Sequence, residues 1–123
     1  MVVGLGTDLV DLDRFRLAAE RTPRILTRYF TEGERAYAER RTDPTERYAA
    51  RFAAKEAVMK ALGVGLGSCA LAEIEVVRDE DSGAPDLVLH GRAAALAADR
   101  GVTTWKLSLT HTDSSAHAIV IAL

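Results

Sequence analysis

Asp8, Glu56 and Lys60 are the residues of this 123-residue chain whose types and settings suit chemistry. Asp8 interrupts an apolar N-terminal run, MVVGLGTDLV, just after two glycines. A carboxylate in such a strand is unfavourable to bury unless it is hydrogen-bonded, paired or metal-bound. Glu56 lies in RFAAKEAVMK, residues 51–60, which reads as a helix at about 100° per residue. On that period Ala54, Val58, Ala61 and Leu62 share an apolar stripe, with Arg51 and Lys55 along its edge. Glu56 and Lys60 fall on roughly the opposite side, bordered by Phe52, Met59 and Ala53. A surface helix gathers its charges on one solvated face. Charges on two sides mean that the helix is enclosed on several sides or that they hold something.

Taken singly, each carboxylate has a plain reading: Asp8 as a strand-end or cap residue, Glu56 as an i,i+4 partner of Lys60. Together, two hard carboxylates from separate elements suit magnesium, which takes one or two such ligands plus phosphates and waters. Arg51, Lys55 and Lys60 around Glu56 are the cations a phosphate needs. GVGLG at 63–67 is either a helix cap with a flexible turn or a place where bare backbone approaches a nucleotide. It is not a P-loop, since no Gly-Lys-Ser/Thr ending follows and the glycines come after the helix. In LSLTHTDSSAH, residues 107–117, His111 sits at a strand end between Thr110 and Thr112; alone, it reads equally well as a packing group. A basic run over residues 14–30 holds Arg14, Arg16, Arg21, Arg24 and Arg28 against the single acid Glu20. It is either a solvated face or a dock for an acidic partner.

These residues need elements to position them. Val2–Val10 reads as a strand whose glycines allow close backbone approach. Asp11 caps a helix through about Glu20, and Pro23 opens a short helix ending near Phe30. Thr31 and Glu34 form a capping box for a helix to about Arg40. Asp43 as cap, Pro44 in the first turn and Glu46 as the acidic third position start the long helix, which Gly63 ends. Residues 74–79 and 86–90 form a hairpin, Arg92–Arg100 a helix, and 103–112 and 117–123 the last strands. The fold class is α+β: a small antiparallel sheet packed around one long central helix with additional short helices.

Length and composition bound the rest. The chain suits one domain, residues 1–123, able to build its own core. With 16 Lys+Arg against 18 Asp+Glu it is no general polyanion binder, and few surface aromatics argue against nucleic acid. No apolar run reaches membrane-span length, and the N-terminus lacks a basic segment before an apolar core, so a cytoplasmic protein is expected. The lone Cys69 fits a reducing compartment and an inert thiol. Zinc-ligand spacing and a Gly-x-Ser-x-Gly elbow are both missing.

GTDLVDLDRF, RFAAKEAVMKALG and LSLTHT, in this order and spacing, resemble bacterial holo-acyl-carrier-protein synthase, the short type of 4'-phosphopantetheinyl transferase. The resemblance covers essentially the whole chain. It implies transfer of 4'-phosphopantetheine from coenzyme A to a serine of apo acyl carrier protein in fatty acid biosynthesis, with release of adenosine 3',5'-bisphosphate. It implies Asp8 and Glu56 as magnesium ligands, with Lys60 beside them in catalysis. It places Arg51, Lys60, Gly63, His111 and Thr112 on the coenzyme, and Arg14, Arg21, Arg24 and Arg28 on the carrier. It further implies a homotrimer with sites shared between subunits. After His-Thr the family has an aromatic where Ser115 stands here, and Asp113 falls close enough in sequence to alter the charge of His111. A non-catalytic nucleotide-binding module, or an oligomerisation domain using its helix charges as intersubunit pairs, are the competing classes.

Overall fold

The structure, a computed structural model, describes residues 1–123. The glycine-broken N-terminal run forms strand β1, Gly4–Asp11. Asp11 then caps helix α1, Leu12–Arg21, accepting from the Arg14 backbone N–H at 2.9 Å. Helix α2 is a short Ile25–Tyr29, and α3 is Glu32–Ala38, opened by the expected capping box of Thr31 and Glu34. The long helix α4 runs Thr45–Leu62 and ends on Gly63 in the left-handed conformation, φ 71°. It starts one residue later than the sequence predicts: Pro44 is the cap, while Asp43 accepts from both the backbone N–H and the hydroxyl of Thr45. Strands β2, Ile74–Arg78, and β3, Pro85–Leu89, form the hairpin; α5 is Gly91–Asp99. Strands β4, Trp105–His111, and β5, Ser115–Ala122, complete the chain.

The α+β class holds, but the strands divide into two antiparallel sheets rather than one. β1, β5 and β4 form a three-stranded sheet with β5 in the middle, and β2 pairs only with β3. α4 lies across the inner face of the larger sheet. Ala118 and Val120 of β5 pack with Ala53, Ala54, Ala57 and Val58 of α4, and all six are fully buried. Small side chains on both partners bring helix and sheet close. A second cluster packs Phe15, Phe30 and Tyr48 between α1, α2 and the first half of α4; Phe30 and Tyr48 ring centroids lie 4.8 Å apart. α4 is thus enclosed on several sides, which settles half of what its charge pattern raises.

Lys55 explains part of that pattern and corrects one expectation. It is not a phosphate cation beside Glu56 but a fully buried structural group. Its Nζ donates to Glu34 Oε1 at 2.8 Å and to the carbonyls of Leu71, at 3.0 Å, and Ile74. Glu34, the capping-box acid, also accepts from the backbone N–H groups of Thr31 and Val76, each at 2.9 Å. One buried ion pair therefore joins α3, α4 and β2. Removing one partner of such a pair strands a charge in the interior. Glu34→Gln is expected to lower unfolding free energy by about 3–5 kcal/mol, measured by urea titration; a loss under about 1 kcal/mol, the scale of an exposed pair, contradicts this role.

Candidate active site

Strand alternation turns Gly4, Gly6, Asp8 and Val10 toward α4, and leaves Leu5, Thr7, Leu9 and Asp11 exposed on the other face. A Cβ at Gly6 would stand 1.8 Å from the Ala57 carbonyl oxygen, and one at Gly4 1.9 Å from that of Ala61. Strand backbone therefore rests directly on helix backbone, an approach only glycine permits. Two residues past Gly6, this contact delivers Asp8 to the helix face that carries Glu56 and Lys60. Lys60 Nζ donates to Asp8 Oδ1 at 3.2 Å and to the Thr7 carbonyl at 2.9 Å. Burial first, and then the charge of Asp8, push the Glu56 carboxyl above its ordinary value, while Lys60 opposes them. The two carboxylates sense each other across one cleft of about 660 Å³, which both line.

Arg14 and Arg21, two turns apart on α1, line the same cleft, with Phe52 and Tyr29 on its apolar side. Arg16 turns away and pairs with Asp13 and Asp43 at 2.9 and 3.0 Å. Arg24 is exposed at the start of α2, and Arg28 is exposed one turn on, beside a separate cavity. The basic run thus presents Arg14 and Arg21 at the carboxylates and Arg24 and Arg28 on the surface beyond.

The rest of the expected coenzyme set lies elsewhere in the chain. Lys60 reaches Asp8 and Gly63 caps the C-terminal end of α4, but Arg51 turns elsewhere. Five residues from Glu56 it is turned about 140° around the helix. It is buried, 6% exposed, with its guanidinium 4.2 Å from the Tyr37 ring centroid and its Nε without a hydrogen-bond partner. Arg40, Arg47 and Arg78 also surround that ring, at 5.5, 4.0 and 5.7 Å. A cavity of about 280 Å³ opens there between Arg51, Arg78, Pro85 and β4. His111, also at β4, faces Glu46 at 3.3 Å, so the carboxylate beside it is Glu46 rather than Asp113. The Thr112 hydroxyl accepts from the backbone N–H groups of Ser114 and Ser115, closing the final turn. β1 and β4 are opposite edges of the sheet, so the metal-type carboxylates and the arginine cluster occupy opposite flanks of one chain. Tyr37, Arg47 and Arg78 carry no sequence signal: they converge from α3, α4 and β2 only in the fold. Cys69 is half-buried, with burial pushing its thiol up, which fits an inert group.

The description "4'-phosphopantetheinyl transferase superfamily" matches residues 4–121. The chain belongs to that superfamily. Within it, the chain is 47% identical over its whole length to a holo-[acyl-carrier-protein] synthase of Desulforudis audaxviator, covering 94% of that protein. The transferase fold matches the crystal structure of the holo-[acyl-carrier-protein] synthase of Neisseria meningitidis with a TM-score of 0.90, at 28% identity, covering 100% of this chain and 99% of that one. It matches that of Bacillus anthracis, solved in complex with CoA (3',5'-ADP), with a TM-score of 0.82, at 34% identity, covering 99% and 96%. No helix of this transferase is long and apolar enough to cross a membrane.

An acid whose value is raised in the folded state disfavours that state as pH climbs past its ordinary value, because the unfolded chain gives up the proton first. Glu56→Gln is therefore expected to match the wild-type melting temperature below the ordinary carboxylate range and to exceed it increasingly toward neutral pH. Calorimetry across pH checks this; a difference independent of pH contradicts it.

Proposed function

We propose that this transferase moves the 4'-phosphopantetheine group of coenzyme A onto a serine hydroxyl of an apo acyl carrier protein, releasing adenosine 3',5'-bisphosphate. The observation that carries the proposal is the cleft in which Asp8 and Glu56 meet beside Lys60, Arg14 and Arg21. The holo-synthase names of its relatives, and coenzyme A in the Bacillus anthracis structure, support it.

Two nearby carboxylates in an open cleft, with no third His, Cys, Asp or Glu grouped with them, fit a hard divalent ion that also needs phosphate oxygens. Asp8 and Glu56 would hold magnesium, which when bound supplies Lewis acidity at the diphosphate. Lys60, tethered to the Thr7 carbonyl, offsets charge building on the leaving phosphate. The serine proton passes either to a carboxylate of the cleft such as Glu56 or to a water held there. Arg14 and Arg21 orient the carrier's acidic helix, with Arg24 and Arg28 extending the positive surface.

The split between flanks supports a site shared between subunits. Leu5 and Leu9 are 60% and 67% exposed on the outer face of the sheet, and Ile119 joins them across the register Thr7↔Ile119. Such a face calls for a partner. We take it as the seam of a homotrimer, in which the arginine cluster, His111 and Thr112 of one copy complete the carboxylate cleft of the next. The nucleotide then lies on the arginine side, where Arg51, stacked on Tyr37, has an Nε without a hydrogen-bond partner. A single-domain, cytoplasmic enzyme of fatty acid synthesis, binding neither nucleic acid nor membrane, accords with this reading.

Mass spectrometry of an apo carrier after incubation with coenzyme A and magnesium is expected to show one added phosphopantetheine. Asp8→Asn and Glu56→Gln, while folded, are expected to lose about 100-fold or more in rate, the scale of removing one transition-state contact. Wild-type rates in both variants contradict the assignment. Arg51→Ala and Glu56→Gln proteins, each inactive alone, are expected to regain activity when mixed and allowed to exchange subunits. No recovery after verified exchange contradicts sharing.

A further inference from the structure

The outer face of the larger sheet is not uniformly apolar. Its central strand, β5, carries His117 there, between Leu9 of β1 and Thr110 of β4 in the register. Leu9 and Ile119 flank the ring and Leu5 follows along β1, all three exposed. One contact within the chain fixes the ring's chemistry. Its Nε2 stands 2.6 Å from the Thr7 hydroxyl, and that hydroxyl donates its single hydrogen to the Ala118 carbonyl at 3.0 Å. Thr7 therefore has only lone pairs to offer the ring, so Nε2 carries a proton and donates. Nδ1, the other ring nitrogen, finds no partner within the chain.

With Nε2 protonated, Nδ1 alone decides whether the ring is neutral or charged. Histidine is the side chain whose charge changes across mildly acidic to neutral pH. The charged groups that share this face leave such a charge unanswered. Asp11 on β1 is turned to the α1 cap, where it accepts from the Arg14 backbone N–H. Lys106 on β4 lies further along that strand from Thr110, opposite Ile121, and is itself a cation. Asp113 sits in the turn between β4 and β5, and Asp8, beside Thr7, is on the inner face. The ring's one polar contact is Thr7. A neutral ring with its donor satisfied can be covered by a neighbouring copy, whereas covering an imidazolium without a counter-charge is costly. Closed symmetry repeats that cost in every copy.

We propose that His117 makes the seam between copies acid-sensitive: the neutral ring lets the copies close, and protonation at Nδ1 opens them. The proposal rests on the shared-site reading. Opening parts the arginine cluster of one copy from the carboxylate cleft of the next, so acid silences the transferase by disassembly. That loss deepens on dilution, as subunit separation does by mass action; titration of a group inside the cleft does not depend on protein concentration. Multi-angle light scattering with far-ultraviolet circular dichroism, at about pH 8 and about pH 5, tests it. The wild type is expected to be a trimer in the alkaline buffer and a folded monomer in the acidic one, where phosphopantetheine loading per chain falls on dilution. His117→Gln keeps a donor for Thr7 without a titratable ring, and is expected to stay trimeric in both, with loading independent of dilution. His117→Arg, charged in both, is expected to be monomeric throughout. A wild-type trimer in both buffers overturns the proposal. So does acid separation of His117→Gln to the same extent, or loss of the dichroism signal together with the trimer. A folded wild-type monomer in the alkaline buffer overturns the trimer reading and the acid gate with it, while its loading of a carrier from coenzyme A leaves the transferase reading standing.

Discussion

Strand β1 lies on helix α4 backbone to backbone, and the site depends on that contact. Gly4 and Gly6 leave no room for a side chain against the Ala61 and Ala57 carbonyls. The strand is thereby held at one height and one rotation on the helix. Its next inward residue, Asp8, falls opposite Glu56 and Lys60. Neither carboxylate is costly to place by itself, since both reach an open cleft. Burial first, and then the charge of Asp8, hold the Glu56 carboxyl above its ordinary value, while Lys60 opposes them and Arg14 and Arg21 line the same cleft.

α4 serves three environments at once, and its charges sort accordingly. Lys55 faces the interior and ties the helix to α3 and β2 through Glu34. Glu56 and Lys60 face the β1 flank. Arg51 faces the β4 flank, stacked on Tyr37. A helix divided this way cannot bring all its cations to one ligand bound to one copy. In the proposed trimer the exposed Leu5, Leu9 and Ile119 on the sheet's outer face form the seam that joins complementary flanks.

Most of this fold is legible in the sequence because its punctuation is chemical. Asp11, the Thr31–Glu34 box and Gly63 mark helix ends through backbone groups they must satisfy, and each does so in the structure. Gly4 and Gly6 announce a close approach, and the approach is there. Asp8 stands out because it is a charge in an apolar strand. The sequence does not separate Lys55 from Lys60: both flank Glu56, and only tertiary packing buries one and exposes the other. Nor does it foretell the arginine cluster around Tyr37 or the division of strands into two sheets, both set by contacts distant in the chain. Asp113 beside His111 looks influential on paper, yet Glu46, reached across the fold, is its neighbour.

The central claim is that the β1 glycine contact holds Asp8 and Glu56 together around one divalent ion. Electron paramagnetic resonance of manganese, titrated into the protein with coenzyme A present, tests it without recourse to turnover. The account predicts one tightly bound ion per chain in the wild type, lost in Asp8→Asn and strongly weakened in folded Gly6→Ala. Wild-type manganese binding in both variants would contradict it.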